Sequence, residues 1–124
     1  MKRNVFFIIT AALIFISAAA IYAQEELSYK TVYSSESKDI IKTEKNIVIL
    51  DVRSQSEYNS GHIQGAVSIP YTDINEKAGQ IIPDKQTKIL VYCQNGSRSI
   101  IAAKKLAKLG YCDVYNCGAI TNLE

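Results

Sequence analysis

The sequence predicts a three-layer α/β domain, with a mostly parallel central sheet and helices on both faces. Two unbroken apolar runs, residues 46–50 and 88–92, have the length and β-branched character of strands that are buried on both faces. Segments of helical character lie between such runs, and strands that alternate with helices join a parallel sheet through right-handed crossovers. At 124 residues, the chain has room for one such domain with one core.

The first residues are expected to be a signal peptide rather than part of that core. Two basic residues precede an almost uncharged apolar run at 5–20 that ends in small residues, which is the layout of a secretory signal. We expect a signal peptide at 1–23 with cleavage after Ala23, and cleavage after Ala20 is the alternative. A retained membrane anchor is the competing interpretation, because residues 5–23 approach the roughly 20 apolar residues that span a bilayer.

The charge balance gives no indication of a nucleic-acid partner. The 14 Lys and Arg residues include Lys2 and Arg3, so the mature chain would carry 12 basic residues against 12 acidic ones. A net charge near zero lacks the clustered basic residues that are typical of nucleic-acid binding.

The expected cleavage site also bears on where the protein is located. Because no Cys is near this site, lipoprotein processing is not indicated. We expect a mature protein that is periplasmic or secreted and is not bound to the membrane.

The segment 24–37 is polar and is interpreted as a linker or lead-in segment that includes a first strand or turn. The domain is expected at 38–124, with a short helix at 39–44 before the first apolar run. Between the two apolar runs, turn residues and periodicity predict three more elements. These are a helical turn at 57–60, a short strand at 66–69 and a helix at 72–80.

The strongest predicted helix, at 98–109, follows the second apolar run. Its predicted apolar stripe consists of Ile101, Ala102, Leu106 and Leu109, with lysines on the wet side. Gly110 ends the helix, and a last strand is expected at 113–116. In sheets of this kind, the chemistry gathers at the carboxyl ends of the strands.

Cys93 lies at such a position, directly after a buried strand and before the strongest helix. The helix dipole and the amino-terminal N–H groups favour the thiolate over the thiol. Gly96 allows the intervening loop to turn successive amides inward around an anion. Arg98 adds a permanent charge with a forked set of donors, which suits the oxygens of an anionic donor or a persulfide. The alternative roles are a buried inert cysteine and a solvated arginine.

Four stretches of sequence carry a resemblance to a known family, in order and in spacing. They are Asp51-Val52-Arg53 through Glu57-Tyr58, the run from Gly61 to Ala66, Ile69-Pro70, and the run from Tyr92 to Ser99. These stretches resemble the rhodanese homology domain over nearly the whole mature chain. The exported, single-domain build is similar to the phage shock protein E type of that family.

The resemblance implies a rhodanese-like fold and a thiosulfate sulfurtransferase activity. It implies that Cys93 is the nucleophile that carries sulfur as a persulfide, with a substrate-binding loop formed by Gln94, Asn95, Gly96, Ser97, Arg98 and Ser99. The implied partners are a small-molecule sulfur donor, such as thiosulfate, and an acceptor thiol or cyanide. No cofactor and no metal are implied.

Asp51, Arg53 and Glu57 carry opposite charges close together in the sequence. We interpret them as an ion-pair and capping network under the Cys93 loop, because a thiolate needs no acid–base pair for this chemistry. The alternative is a substrate site. The single His62 matches a structural residue of the family's Gly-His-Ile turn, and a general base is its alternative role.

Two other functions compete with sulfur transfer by turnover. The related dual-specificity phosphatases place five residues between Cys and Arg, whereas four separate Cys93 from Arg98 here. The shorter loop is too tight for a tetrahedral phosphate. The second competitor is a non-enzymatic rhodanese-like module that binds a partner or delivers sulfur to it.

The three cysteines, Cys93, Cys112 and Cys117, are an odd number for an exported chain, so at least one is free or pairs with another molecule. Cys117 is expected at the same edge of the sheet as Cys93. It is therefore a candidate resolving cysteine, which would form a reversible disulfide with oxidised Cys93. The alternative is a small packing residue in place of a glycine of the family. Cys112 is a poor partner for Cys117, because an extended strand separates them.

Overall fold

The apolar runs of the sequence form the centre of a parallel sheet. A computed structural model describes residues 29–124, and in this part of the chain five strands pair in the order β1-β5-β4-β2-β3. Every neighbouring pair is parallel, which confirms the predicted α/β class. The strands are β1 (Tyr29–Thr31), β2 (Ile47–Asp51), β3 (Val67–Ser68), β4 (Lys88–Cys93) and β5 (Val114–Ala119).

Helices cover both faces of this sheet. They are α1 (Ser34–Thr43), α2 (Gln55–Ser60), α3 (Ile74–Ile81) and α4 (Ser97–Lys108), with 3₁₀ turns at Tyr71–Asp73 and Ile120–Asn122. Side chains of α3 and α4 pack into one core cluster, and side chains of α1 and α2 pack against the other. The molecule therefore has the three layers that the sequence predicts.

The alternation of side chains along β4 explains why its sequence is apolar without interruption. Ile89, Val91 and Cys93 belong to the core under α3 and α4, whereas Leu90 and Tyr92 belong to the opposite core. Both faces of a central parallel strand are covered, so both sets of alternate residues must be apolar. The same arrangement places Cys93 at the carboxyl end of the most central strand.

The predicted apolar stripe of α4 is partly wrong. Ala102, Ala103 and Leu106 are buried in the core, but Ile101 is 42% exposed. Gly110 follows the helix with a φ of 95°, a left-handed conformation that glycine adopts at little cost. The helix thus ends where the sequence predicts, while its buried face is rotated toward the alanines.

The amino-terminal elements begin earlier than expected. β1 agrees with a first strand in the segment 24–37, and it pairs with β5. α1 starts inside that segment, at Ser34 instead of at Asp39. Ser37 is the one fully buried residue of its first turns, so this part of the helix has no apolar signal in the sequence.

The predicted signal peptide at 1–23 lies outside the described residues. Within residues 29–124, the helices are all too short or too polar to cross a membrane.

Candidate active site

Cys93 is completely buried at the point where β4 meets the loop before α4. Three residues, Gln94 to Gly96, connect the strand to the helix. The backbone N–H of Gly96 donates a hydrogen bond to Cys93 Sγ at 3.0 Å. The loop therefore folds back over the sulfur instead of leading away from it.

Gly96 makes this turn possible. Its φ of 97° lies in the left-handed region, which L-residues with a Cβ adopt only with strain. Space is not the constraint, because an added Cβ would lie 3.7 Å from Gly118 Cα, an ordinary contact. The turn of the backbone directs successive amides toward the sulfur, a geometry that binds anions.

The surroundings of Cys93 lower its pKa. Desolvation by burial is the largest single effect and raises the pKa of the thiol. It is outweighed by hydrogen bonds from the Ser99 hydroxyl and from the backbone amides of Ser99, Gly96 and Arg98. These donors belong to the first turn of α4 and its cap, where N–H groups have no partners within the helix. The site thus stabilises a thiolate at a buried position.

Short-range hydrogen bonds hold the loop in shape. Asn95 Oδ1 accepts from the Ser97 backbone N–H at 3.2 Å and from the Ser97 hydroxyl at 2.8 Å. The Ser99 hydroxyl lies 3.0 Å from the Gly96 carbonyl oxygen, so its single proton has both this oxygen and the Cys93 sulfur as acceptors. Asn95 and Ser97 therefore brace the loop, whereas Gly96 and Ser99 contact the sulfur.

Arg98 is paired with a carboxylate of α2. Its Nη1 lies 2.7 Å from Glu57 Oε1, and its Nη2 lies 3.0 Å from Glu57 Oε2. Glu57 also completes a capping box with Ser54 at the start of α2. The Arg98 guanidinium lowers the pKa of Glu57 to about 2. The two side chains form a bidentate ion pair beside the loop.

A second, buried network lies under the loop. Arg53 donates to both oxygens of Asp51, with Nη2 2.7 Å from Oδ2, and to the Gly61 carbonyl oxygen. Its Nη1 lies 3.2 Å from Gln94 Oε1, which ties the network to the loop. These contacts confirm the predicted ion-pair and capping network, although Glu57 pairs with Arg98 instead of Arg53.

Tyr92 is a member of this network that sequence reasoning missed. Its hydroxyl donates to Asp51 Oδ2 at 2.7 Å and accepts from the Ile63 backbone N–H at 3.1 Å. Burial raises the pKa of Tyr92, so the hydroxyl stays protonated and remains a donor. The available signal was a tyrosine inside an otherwise aliphatic buried strand, since a buried hydroxyl requires a partner.

An open cleft of about 340 Å³ borders the loop. It is lined by Arg53, Ser56, Glu57, Ser60, Gly61 and Gln94. Glu57 and Gln94 thus face both the loop and open space. The cleft is polar, and it reaches the Cys93 loop at Gln94.

The structure places Cys117 and Cys93 in different core clusters, which favours the packing role of Cys117 over a resolving role. Cys117 packs with Leu90 and Tyr92 in the core under α1, whereas Cys93 lies in the core under α4. The prediction was based on the edge of the sheet that the two cysteines share, but their side chains lie on opposite faces of the sheet. Burial raises the pKa of Cys117 to about 11, which agrees with a packing role.

The two remaining candidates lie away from the sulfur. Cys112 is exposed and contacts the Lys85 carbonyl oxygen, before β5 begins. The His62 ring stacks on Tyr58, with centroids 3.8 Å apart, and its Nδ1 lies 2.9 Å from the Tyr58 carbonyl oxygen. These contacts agree with a structural role for His62. Within residues 29–124, no cluster of three or more His, Cys, Asp or Glu residues is arranged to hold a metal.

Comparison with known proteins agrees with this geometry. The Rhodanese-like domain family matches residues 34–118. Thiosulfate sulfurtransferase PspE of Escherichia coli is 35% identical over 74 residues, which are 60% of this chain and 71% of PspE. Thiosulfate sulfurtransferase GlpE of Coxiella burnetii is 32% identical over 90 residues, which are 73% of this chain and 81% of GlpE.

Solved structures of rhodanese proteins also superpose on this chain. A rhodanese with anions from Escherichia coli superposes with a TM-score of 0.58 at 35% identity, over 60% of this chain and 88% of that one. A rhodanese-related protein from Thermoplasma volcanium superposes with a TM-score of 0.64 at 29% identity, over 77% of this chain and 90% of that one. The matched range contains the strand, loop and helix that surround Cys93, and the chain therefore belongs to the rhodanese-like domain family.

Proposed function

We propose that this chain is a sulfurtransferase, which moves sulfane sulfur from thiosulfate or a similar donor to an acceptor thiol or cyanide. The observation that carries the proposal is the position of Cys93. Its sulfur lies 3.0 Å from the Gly96 amide, in a loop whose donors lower the thiol pKa. The thiolate is the form of cysteine that attacks a sulfur donor.

The first half-reaction loads the enzyme. The Cys93 thiolate attacks the outer sulfur of thiosulfate, an Sγ–S bond forms, and the S–S bond of the donor breaks. Sulfite leaves with the electron pair of that bond, and the negative charge of the persulfide rests on its terminal sulfur. The amides of the loop, which hold the thiolate in the free enzyme, are the groups available to hold this charge.

The second half-reaction regenerates the thiolate. An acceptor thiolate or cyanide attacks the terminal sulfur, the new bond forms, and the Sγ–S bond breaks to return the electron pair to Cys93. With cyanide the product is thiocyanate. Each step exchanges one sulfur between two nucleophiles, so the cycle requires neither a cofactor nor a general base.

Further support comes from the relatives named thiosulfate sulfurtransferase, at 35% and 32% identity. The alternative, a rhodanese-like module without turnover, makes a different prediction for a simple assay. Thiosulfate and cyanide are incubated with the purified mature protein and a chelator, and thiocyanate is measured. We expect turnover that Cys93→Ser abolishes, and the same rate in both proteins would contradict the proposal.

We also propose that the chain is exported, like the phage shock protein E type that its sequence resembles. The support is the basic start, the apolar run and the small residues within the first 23 positions. The mature protein would then act in the periplasm or outside the cell.

A further inference from the structure

Both arginines beside the Cys93 loop are matched by a carboxylate. Arg98 makes a bidentate pair with Glu57, at 2.7 and 3.0 Å, and Arg53 makes a buried pair with Asp51, at 2.7 Å. A guanidinium that faced the loop without a partner would attract a dianionic donor strongly. Because each guanidinium is paired with a carboxylate, these four side chains together carry no net charge.

The carboxylate of Glu57 is fixed in place before any donor arrives. Its Oε1 accepts from the Ser54 hydroxyl at 3.0 Å and, within the capping box of α2, from the Ser54 backbone N–H at 3.4 Å. Both of its oxygens engage the terminal nitrogens of Arg98. An anionic group that approaches Arg98 must therefore displace Glu57 or bind next to it.

Glu57 also borders open space next to the Cys93 loop. It lines the open cleft together with Gln94, the residue that follows Cys93. About a third of its side chain is exposed, as is about a quarter of that of Arg98. The carboxylate of Glu57 is thus partly exposed beside the loop, where its charge would act on an anion that enters this cleft.

We propose that Glu57 is a specificity-determining residue, which weakens the preference of the site for dianionic donors. The inference rests on the proposed role of Cys93. The charge of Glu57 favours organic persulfides as donors, because the sulfur that they transfer carries no charge or a single negative charge. In that reaction the Cys93 thiolate attacks the terminal sulfur of R–S–SH, the donor S–S bond breaks, and R–S⁻ leaves with the electron pair. The proton stays on the transferred sulfur.

The charge preference of the site can be measured without sulfur transfer. Cys93 is alkylated with iodoacetate, which is anionic, and with iodoacetamide, which is neutral, and modification is read at the Cys93 peptide by mass spectrometry. Both reagents need the same thiolate, so the ratio of their rates cancels any change in the Cys93 pKa. Reading one peptide also excludes alkylation of Cys112.

We expect Glu57→Gln to raise the ratio of iodoacetate to iodoacetamide rates by about threefold to tenfold, because Arg98 loses its counter-charge. Glutamine at this position still completes a capping box, so α2 keeps its start. Adding Arg98→Gln to that variant should remove the increase. Ser54→Ala is the matched control, since it weakens the cap and leaves the ion pair, and its ratio should equal that of the wild type.

Each result has a defined meaning. An unchanged ratio in Glu57→Gln, or an equal rise in Ser54→Ala, would overturn the role of Glu57. A wild type that makes no thiocyanate from any donor would instead overturn the proposed function and leave the ratio as measured. In an active protein, Glu57→Gln should also lower the KM for thiosulfate by a similar factor, with little change in kcat.

Discussion

Two opposing effects act on the sulfur of Cys93. Burial favours the neutral thiol, and the hydrogen bonds of the loop favour the thiolate. The thiolate is favoured because four donors converge on the Cys93 sulfur. Three of these donors are backbone amides, which remain when a side chain is truncated. The reactivity of the site therefore depends on backbone geometry more than on any single side chain.

The Ser99 hydroxyl is the exception, because it is the one side-chain donor among the four. We expect Ser99→Ala to raise the Cys93 pKa by about one unit, since a hydrogen bond to a charged group contributes about 1.5 kcal/mol or more. The pKa is measured from the pH dependence of iodoacetamide alkylation at Cys93. Ser97→Ala is the control, because the Ser97 hydroxyl bonds only to Asn95 in the described contacts. Equal pKa values in wild type and Ser99→Ala would contradict this assignment.

At the scale of elements, the loop between β4 and α4 depends on the left-handed turn at Gly96. We expect Gly96→Ala to destabilise the fold by about 1–2 kcal/mol, through backbone strain. The amide that bonds to the sulfur should also move, so sulfur transfer should fall more than stability alone explains. Denaturant unfolding and the thiocyanate assay measure the two effects.

Gly79 provides the matched control for this substitution. It lies within α3, and an added Cβ there would meet nothing within 4 Å. Alanine in a helix is better than glycine by roughly 0.5–1 kcal/mol, so Gly79→Ala should stabilise the protein and leave activity unchanged. If Gly96→Ala behaved like Gly79→Ala, the turn would not be under conformational constraint.

The ion pair between α2 and α4 predicts a specific pH dependence. The pKa of Glu57 falls from 4.5 to about 2 on folding, so the pair stabilises the folded state above pH 4.5. This contribution is lost as the pH falls through about 2. The difference in unfolding free energy between wild type and Glu57→Gln, which we expect to stay below about 1 kcal/mol for a partly exposed pair, should shrink across that window. A constant difference down to pH 2 would contradict the pairing.

Across the whole molecule, the strands and the position of the nucleophile could be predicted from the sequence. β2 and β4 are continuous apolar runs, because a central parallel strand is buried on both faces. The turn chemistry of Gly110 located the carboxyl end of α4. These signals are local, so a single sequence contains them.

Other features depend on how distant segments meet, and the sequence contained no local signal for them. Glu57 and Arg98 are 41 positions apart and meet only because α2 packs beside the loop. β5 continues to Ala119, beyond its predicted end at Asn116, because it pairs with β4 past a bulge. The same packing decides that Cys117 lies on the face opposite Cys93, which the edge of the sheet alone did not reveal.

Export is the prediction that concerns the chain as a whole. Fractionation of the source cells should recover a mature form that lacks the first 20 or 23 residues, outside the cytoplasm. The mass of the isolated protein identifies the cleavage site. A full-length form that remains in the membrane fraction would support the anchor instead.

The central claim is that Cys93 carries sulfur, and one measurement tests it directly. The mature protein is treated with thiosulfate, freed of small molecules and analysed by mass spectrometry, first intact and then as peptides under non-reducing conditions. We predict a gain of one sulfur atom on the peptide that contains Cys93, reversed by cyanide and absent in Cys93→Ser. A gain of sulfur on another cysteine, or none at all with a folded protein, would contradict the account.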